Sequence, residues 1–383
     1  MTKIKNIKVG GTTYPLQDKD LTEQVNVVAE VVSQALNDLQ EDNRQKEHVV
    51  CICRSVQGSV SQMTNLSRSG ITLHVKIFDK NSLEEWEETY SVPNTGHIEF
   101  DVPYGCIYEV WTTKASMGAS FRVSYTACQP YVRKIRLWNL SVGVFKFGFK
   151  NMYCESDDGW YCNFPAITTD GSYNIEDIDV DFPSEYDYEM FEGCPATMDP
   201  NDYDIYADEM YEYGILISKA DCSFLINNAL NKAPETKYWS KQAYNKSVPG
   251  LHEFYSIAED YTCAQNMAKA DYDGSLNTDK ITDALIDCPA AMFACQSPDY
   301  VFQTYLPAAG ELKLLYDNKS AYNNIQADYT DVPAIDTNWY WSSSAYSPYY
   351  SWIVNMHNGN VSNFTRYFND CCVLAFSAFL YNY

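Results

Sequence analysis

Two adjacent thiols, Cys371 and Cys372, are the side chains of this 383-residue chain whose types come nearest to covalent chemistry. A thiol nucleophile and its resolving partner must face each other across a cleft, which sequence neighbours do poorly. The last sixty residues hold no Lys or Arg except Arg366 to lower a thiol's pKa. The thirteen cysteines are an odd number at irregular spacings, with no Cys-x-x-Cys pair; Cys51 and Cys53 stand one residue apart. With only five His in addition, a zinc site has no spacing to rest on. His357 is a lone imidazole for which no Ser-His-acid spacing can be drawn. The acids of Asp177-Ile178-Asp179-Val180-Asp181 could offer oxygens to calcium, but the glycine at loop position 6 and the glutamate at position 12 are missing, and a solvated acidic face is the competing reading. Carboxylate pairs specify glycoside hydrolysis only when their separation is known. These residues assign no reaction: the expectation is a protein that is not an enzyme, with no catalytic residue, no metal site and no cofactor.

The elements that would position such groups change in character along the chain. The first twenty residues, with Gly10-Gly11, read as a short extended leader with neither an export signal nor a lipobox. Leu21, Val25, Val28, Val32, Ala35 and Leu39 then alternate spacings of four and three behind an Asp20/Glu23 capping box, the pattern of a short parallel coiled coil. A trimer is expected there, a dimer being the alternative, and an amphipathic helix packed on its own domain the simpler one. From 48 to 150 the period becomes two: Ile71, Leu73, Val75 and Ile77 alternate with polar residues, as do Phe121, Val123 and Tyr125. Turn signals at Pro93-Asn94-Thr95-Gly96 and Pro103-Tyr104-Gly105 complete the expectation of an immunoglobulin-like β-sandwich. Residues 151–218 carry eighteen acids and no Lys or Arg, so 151–209 reads as an acidic, Tyr-rich connecting region. From 210 an α+β unit is expected, with strands at 215–217 and 224–226 and helices near 254–269, 278–294 and 309–318.

The net charge of -24 repels phosphate backbones and anionic lipid, so nucleic acid is not an expected partner. Nowhere do eighteen apolar residues run together, which argues against membrane insertion. The thiols of a chain without an export signal read as reduced rather than as a disulfide framework.

The stretch that opens Trp339-Tyr340-Trp341-Ser342-Ser343-Ser344 is unlike the rest. Between Ala345 and Cys372 the positions outside the apolar anchors hold Tyr346, Ser347, Tyr349, Tyr350, Ser351, His357, Asn363, Phe364, Thr365, Tyr367, Phe368, Asn369, Asp370, Cys371 and Cys372. Every one of these types is reached from the asparagine codon AAC by changing adenines alone. No Lys, Glu, Gln or Met occupies these positions; Met356 falls at an anchor. Such a restriction is the signature of mutagenesis aimed at adenine.

With Asp273-Gly274-Ser275-Leu276-Asn277-Thr278, Tyr305-Leu306-Pro307-Ala308-Ala309-Gly310-Glu311-Leu312, Trp341-Ser342-Ser343-Ser344, Trp352, Asn358-Gly359 and Val373-Leu374-Ala375-Phe376-Ser377-Ala378-Phe379, residues 210–383 resemble the variable proteins of diversity-generating retroelements. Their C-terminal domain has the C-type-lectin fold shared with formylglycine-generating enzymes. Leu374 stands where that family often has Arg, so an anchoring polar contact of the final strand would be missing or replaced. The first half is similar only in layout to a phage tail-fibre or receptor-binding protein.

What the resemblance implies is a multidomain chain: an oligomerising leader and helix (1–47), a β-sandwich (48–150), the connecting region (151–209) and a C-type-lectin domain (210–383), its variable region about 340–380. Its ligand-binding residues would be Tyr346, Ser347, Tyr349, Tyr350, Ser351, His357, Asn363, Phe364, Thr365, Tyr367, Phe368, Asn369, Asp370 and Cys371. The scaffold beneath them would be Trp341, Trp352, Val354, Val361, Val373, Phe376 and Phe379. Tyr, Ser and Asn make the composition of an antibody paratope, large rigid contact area with adaptable hydrogen bonding. The partner implied is a bacterial cell-surface protein or glycan met by a virion protein. An exported bacterial surface adhesin and a formylglycine-generating-type oxidase are the alternatives, and the same resemblance places the thiols among the diversified contact groups.

Overall fold

A computed structural model describes residues 6–9, 12–15, 44–58, 63–65, 67–154, 160–168, 210–227, 232–233, 235–241, 246–284, 287–296, 302–328, 332–368 and 371–379. The expected coiled-coil helix, the Asp177–Asp181 acids, Asn369 and Asp370 lie outside these residues. The chain is a β-rich, multidomain protein with several small sheets and six short helices among the described residues.

After a hairpin of β1 (Asn6–Val9) and β2 (Thr12–Pro15), β3 (Lys46–Gly58) turns back on β4 (Met63–Asn65). The alternation at 71–77 is realised as β5 (Ile71–Asp79), in which Thr72, His74 and Lys76 are half-buried while Ile71, Leu73, Val75 and Ile77 are buried. It sits between β6 (Glu85–Ser91) and β8 (Cys106–Lys114), and β8 carries β9 (Val123–Thr126) on its outer side. Facing this sheet, β3 is paired on one side with β7 (His97–Pro103), antiparallel, and on the other with β10 (Arg133–Asn139), parallel. Val49, Cys51, Cys53, Val102, Ile135 and Leu137 of one sheet pack with Leu73, Val75, Tyr108 and Val110 of the other. Two half-buried sheets hide their apolar faces only by closing on each other. The turn before β7 needs its glycine: Gly96 has φ +81°, and a Cβ there would lie 2.9 Å from the Cys53 carbonyl oxygen.

The two-sheet module ends near Asn139, short of the expected limit at 150. The next strand, β11 (Gly143–Cys154), joins β12 (Trp160–Thr168) to β13 (Met210–Ser218), β14 (Ser223–Asn227), β19 (Phe376–Phe379) and β15 (Phe302–Tyr305) in a six-stranded sheet of order β12-β11-β13-β14-β19-β15. Nothing in local composition marks this change of sheet, because partner choice is settled by contacts distant in sequence. The expected strands at 215–217 and 224–226 are the buried middles of β13 and β14.

Six helices follow β14: α1 (Phe254–Ile257), α2 (Tyr261–Lys269), α3 (Gly274–Asp283), α4 (Pro289–Ala294), α5 (Ala309–Asp317) and α6 (Lys319–Gln326). Asp260 caps α2 by accepting from Cys263 N at 2.7 Å. Helix α3 starts at 274, four residues earlier than expected, and buries its first turn against the two-sheet module. At the head of α5, Glu311 accepts from Ala308 N (2.7 Å) and from the Tyr305 hydroxyl (3.0 Å), satisfying an orphan donor of the helix start. Gly310 approaches the preceding loop so closely that a Cβ would lie 2.4 Å from Asp271 O and 2.8 Å from Lys269 O. Gly310→Ala should therefore cost about 1–3 kcal/mol of stability, read as a lower urea midpoint, because only backbone could yield.

An ionic cluster joins α3 to the two-sheet module. Asp273 takes the Lys76 ammonium on one oxygen and the Arg122 guanidinium (2.8 Å) on the other. Arg122 also reaches Glu109 at 3.2 Å and lies 3.9 Å over the Trp111 ring. Glu85 gathers Lys76 (3.1 Å), His252 (3.0 Å) and Lys280. Burial pushes Glu109 up to about 7 against the pull of Arg122. Burial raises Asp273 and Glu85 too, but Lys76 with Arg122, and His252 with Lys280 and Lys76, outweigh it and hold both below the usual carboxylate range. Beside the cluster, the Gln303 side-chain amide accepts from Ser124 N (3.1 Å) and donates to Ser124 O (2.9 Å), pairing with the outer edge of β9 as a strand would. Among the described residues no helix is long and apolar enough to cross a membrane.

Candidate functional site

The Ala345–Cys372 stretch is built on a small antiparallel sheet of β16 (Trp339–Ser347), β17 (Tyr350–Asn355) and β18 (Val361–Thr365). Its anchors are fixed from several directions. Trp341, Trp352, Val354, Val361, Val373 and Phe376 are buried. The serine triplet of β16 is buried as well: the Ser342 hydroxyl donates to Trp352 O (2.7 Å), while Ser342 O accepts from the Trp239 indole (2.8 Å). Ser343 N donates to Pro307 O (2.8 Å); the Ser344 hydroxyl accepts from Ala309 N (2.9 Å) and donates to Asp271 (2.6 Å). Serine is small enough to be buried here and polar enough to hold backbone and carboxylate groups that burial would otherwise leave unpaired. Leu374 is buried among apolar side chains, so an aliphatic contact stands where the family resemblance suggested a polar anchor.

On this frame the exposed aromatic side chains gather at one end. Tyr349 (53% exposed) and Tyr350 (40%) sit where β16 turns into β17, and Phe368 (46%) in the turn after β18. Directly paired strand residues share a face, so Tyr350 lies with Thr365, and Trp352 with Asn363. Tyr346 joins that face, its ring 6.3 Å from Tyr350 and 5.2 Å from Trp352. Phe364 points the other way, 6.0 Å from Trp341 and 5.7 Å from Phe368, which in turn lies 5.1 Å from Tyr367. The end of the sheet thus carries two aromatic patches, with Tyr349 exposed in the turn beside them.

Several expected contact residues are not part of that surface. Ser351 is fully buried and accepts from Arg366 Nε at 2.9 Å. Cys371 and Cys372, expected to face solvent, are both buried. Cys372 N donates to Trp339 O (2.8 Å) and Trp341 N to Cys372 O (3.0 Å), while Lys237 N donates to Cys371 O (3.1 Å). These backbone bonds draw the pair between neighbouring segments, so Cys371 packs with Trp239 and Trp341 and Cys372 into the main core. Burial raises the Cys372 thiol, the opposite of what a nucleophile needs. Ser347 is also nearly covered. His357 is exposed but sits in the turn at the far end of β17, where Asn355 Oδ1 accepts from His357 N (2.8 Å). Five strand residues place it on the order of 17 Å from Tyr350.

Sequence reasoning missed two tyrosines that border the face. Tyr255 of α1 (66% exposed) and Tyr261 of α2 (44%) lie 5.5 and 6.0 Å from the Tyr346 ring. They sit some ninety residues upstream, brought close where Glu253 bridges to Ala345; only the exposed aromatic at a helix start could have hinted at them. Burial and the two neighbouring phenols raise the Tyr346 pKa, so its hydroxyl stays a donor at neutral pH.

No family model and no curated protein matches the chain. Among solved structures, a fimbrial protein from Bacteroides ovatus superposes with a TM-score of 0.32 at 11% identity, over 87% of this chain and 70% of that one. That degree of overlap does not establish a shared fold.

Proposed function

We propose that the chain is a diversified ligand-binding protein, a phage or prophage receptor-binding protein that attaches to a molecule on the bacterial surface. In this reading residues 210–383 form a C-type-lectin domain, the two-sheet module is immunoglobulin-like, and residues 21–42 assemble copies into a trimer, so that weak single contacts add into avidity. The observation that carries it is the placement of Tyr349, Tyr350 and Phe368, exposed on two turns at one end of a sheet whose own anchors are buried. Exposed aromatic groups cost solubility and contribute nothing to the fold, which makes a contact surface the economical explanation. The varied stretch is also poor in charge: between residues 346 and 368 the one Lys or Arg is Arg366, which is buried, and no acid occurs, which leaves Asp370 as the one acid of the expected contact set. A neutral or weakly cationic surface molecule suits it better than an anionic one.

The test is retention of fluorescently labelled chain on intact bacterial cells. The proposal expects saturable binding, on at least one strain of a broad panel, that excess unlabelled chain displaces. Retention that never saturates, or that follows cell-surface charge alone, would reject it.

A further inference from the structure

Arg366 is the one strongly basic side chain in the varied stretch, and it is fully buried. Burial lowers its pKa to about 10, so the guanidinium remains charged at neutral pH inside the protein. No carboxylate among the described residues pairs with that charge at hydrogen-bonding distance, although the Glu253 carboxylate acts on it through space; Nη2 has no hydrogen-bond partner among them. An arginine kept under such conditions must be offset by what it holds.

What it holds are the two turns of the aromatic face. Nε donates to the Ser351 hydroxyl (2.9 Å), and Nη1 to Pro348 O (3.2 Å) and Lys246 O (3.3 Å). Its backbone N–H donates to Tyr349 O (3.0 Å), and its carbonyl accepts from Trp239 N (3.0 Å) and Ser240 N (3.1 Å). The guanidinium carbon lies 4.1 Å over the Trp239 ring, itself fixed to β16 through Ser342. One residue therefore ties the Pro348–Tyr350 turn, the start of the Tyr367–Phe368 turn, the backbone at Trp239 and Ser240 and the carbonyl of Lys246 to a single post.

We infer that Arg366 is a positioning residue that sets the spacing between the Tyr349/Tyr350 turn and the Tyr367/Phe368 turn, and that Ser351 is its fixed partner rather than a contact group. A planar fork is suited to this, because several acceptors can be held at fixed angles at once; an ammonium on a flexible stem cannot reproduce it. The consequence for diversification is that position 351 is constrained although its residue type belongs to the restricted set: a side chain there must be small and must accept a hydrogen bond. This rests on the binding reading only for its purpose, since the geometry can be tested without any ligand.

The experiment is peptide-level hydrogen exchange of the full chain, comparing wild type with Arg366→Met, Arg366→Lys and Ser351→Ala. Arg366→Met should raise exchange at least tenfold in peptides covering 347–351 and 365–368, with peptides covering 274–283 and 309–317 unchanged. Arg366→Lys should restore little, and Ser351→Ala should show a smaller rise in the same two peptides. Should Arg366→Met fail to fold, Ser351→Ala alone decides the matter. A rise spread evenly over all peptides, or none in the two turns, would overturn the inference. A failure of cell binding would leave this result untouched, so the two claims fail separately.

Discussion

Asp273→Ala should lower the free energy of unfolding by about 3–5 kcal/mol, the usual cost of removing one partner from a buried ionic group. The substitution takes a carboxylate from two cations at once, the Lys76 ammonium and the Arg122 guanidinium, both largely shielded from water. Lys76 keeps Glu85 at 3.1 Å, but Arg122 is left with Glu109 at 3.2 Å, which burial pushes up. Asp273 sits below the usual range, so its contribution is present above the unfolded carboxylate pKa and is lost as pH falls from there through the lower folded pKa. The loss caused by Asp273→Ala should accordingly shrink toward acid pH. Adding Lys76→Met should recover part of the loss, as coupled partners do in a double-mutant cycle. Urea unfolding at pH 7.5 and pH 2.5 checks this; a cost below about 1 kcal/mol at pH 7.5 would mean the cluster is a solvated surface network.

The second large effect concerns attachment. Aromatic side chains at the centre of an interface cost roughly 2 kcal/mol or more each when truncated, about thirtyfold in affinity, with values that do not add. Tyr349→Ala, Tyr350→Ala and Phe368→Ala together should therefore abolish measurable retention on any cell type the wild-type chain binds, with each single change weakening it ten- to a hundredfold. Ser362→Ala, on β18 but outside the varied set, should leave retention within about twofold, as surface changes away from the contact centre do. Equal retention of the triple variant would place the contact elsewhere. Tyr255→Ala and Tyr261→Ala bear on the extent of the face: a loss matching Tyr350→Ala would show that a constant border shares the work with the varied centre.

Much of this was legible in the sequence, and the reason differs by element. The β5 alternation was readable because a strand's period of two reports directly which side is dry, and the buried anchors Trp341, Trp352, Val354 and Val361 because they are the apolar positions outside the restricted set of residue types. The exposed Tyr349 and Tyr350 fall in the set of residue types reachable from AAC, which marked them as expected contact positions. Ser351 and Cys371 carried the same mark and were misplaced by it, since the buried Arg366 fork and the backbone bonds of 371–372 are tertiary facts with no local sign. The same blindness hid the passage of β11 into the six-stranded sheet and the approach of Tyr255 and Tyr261 to Tyr346. His357 shared the composition of the face but not its place, because codon type says nothing about which end of a hairpin a residue occupies.

The frame and the face should be separable. The most direct measurement is thermal unfolding of a chain in which Tyr349, Tyr350, Thr365, Tyr367 and Phe368 are replaced as a set by Ser, Asn and His while Ser351, Arg366, Cys371 and Cys372 are kept. A cooperative transition within a few degrees of wild type is the expected result, as for surface substitutions generally. Loss of cooperative unfolding in that chain would show that those side chains hold the domain together, and the account of an interchangeable contact surface would be contradicted.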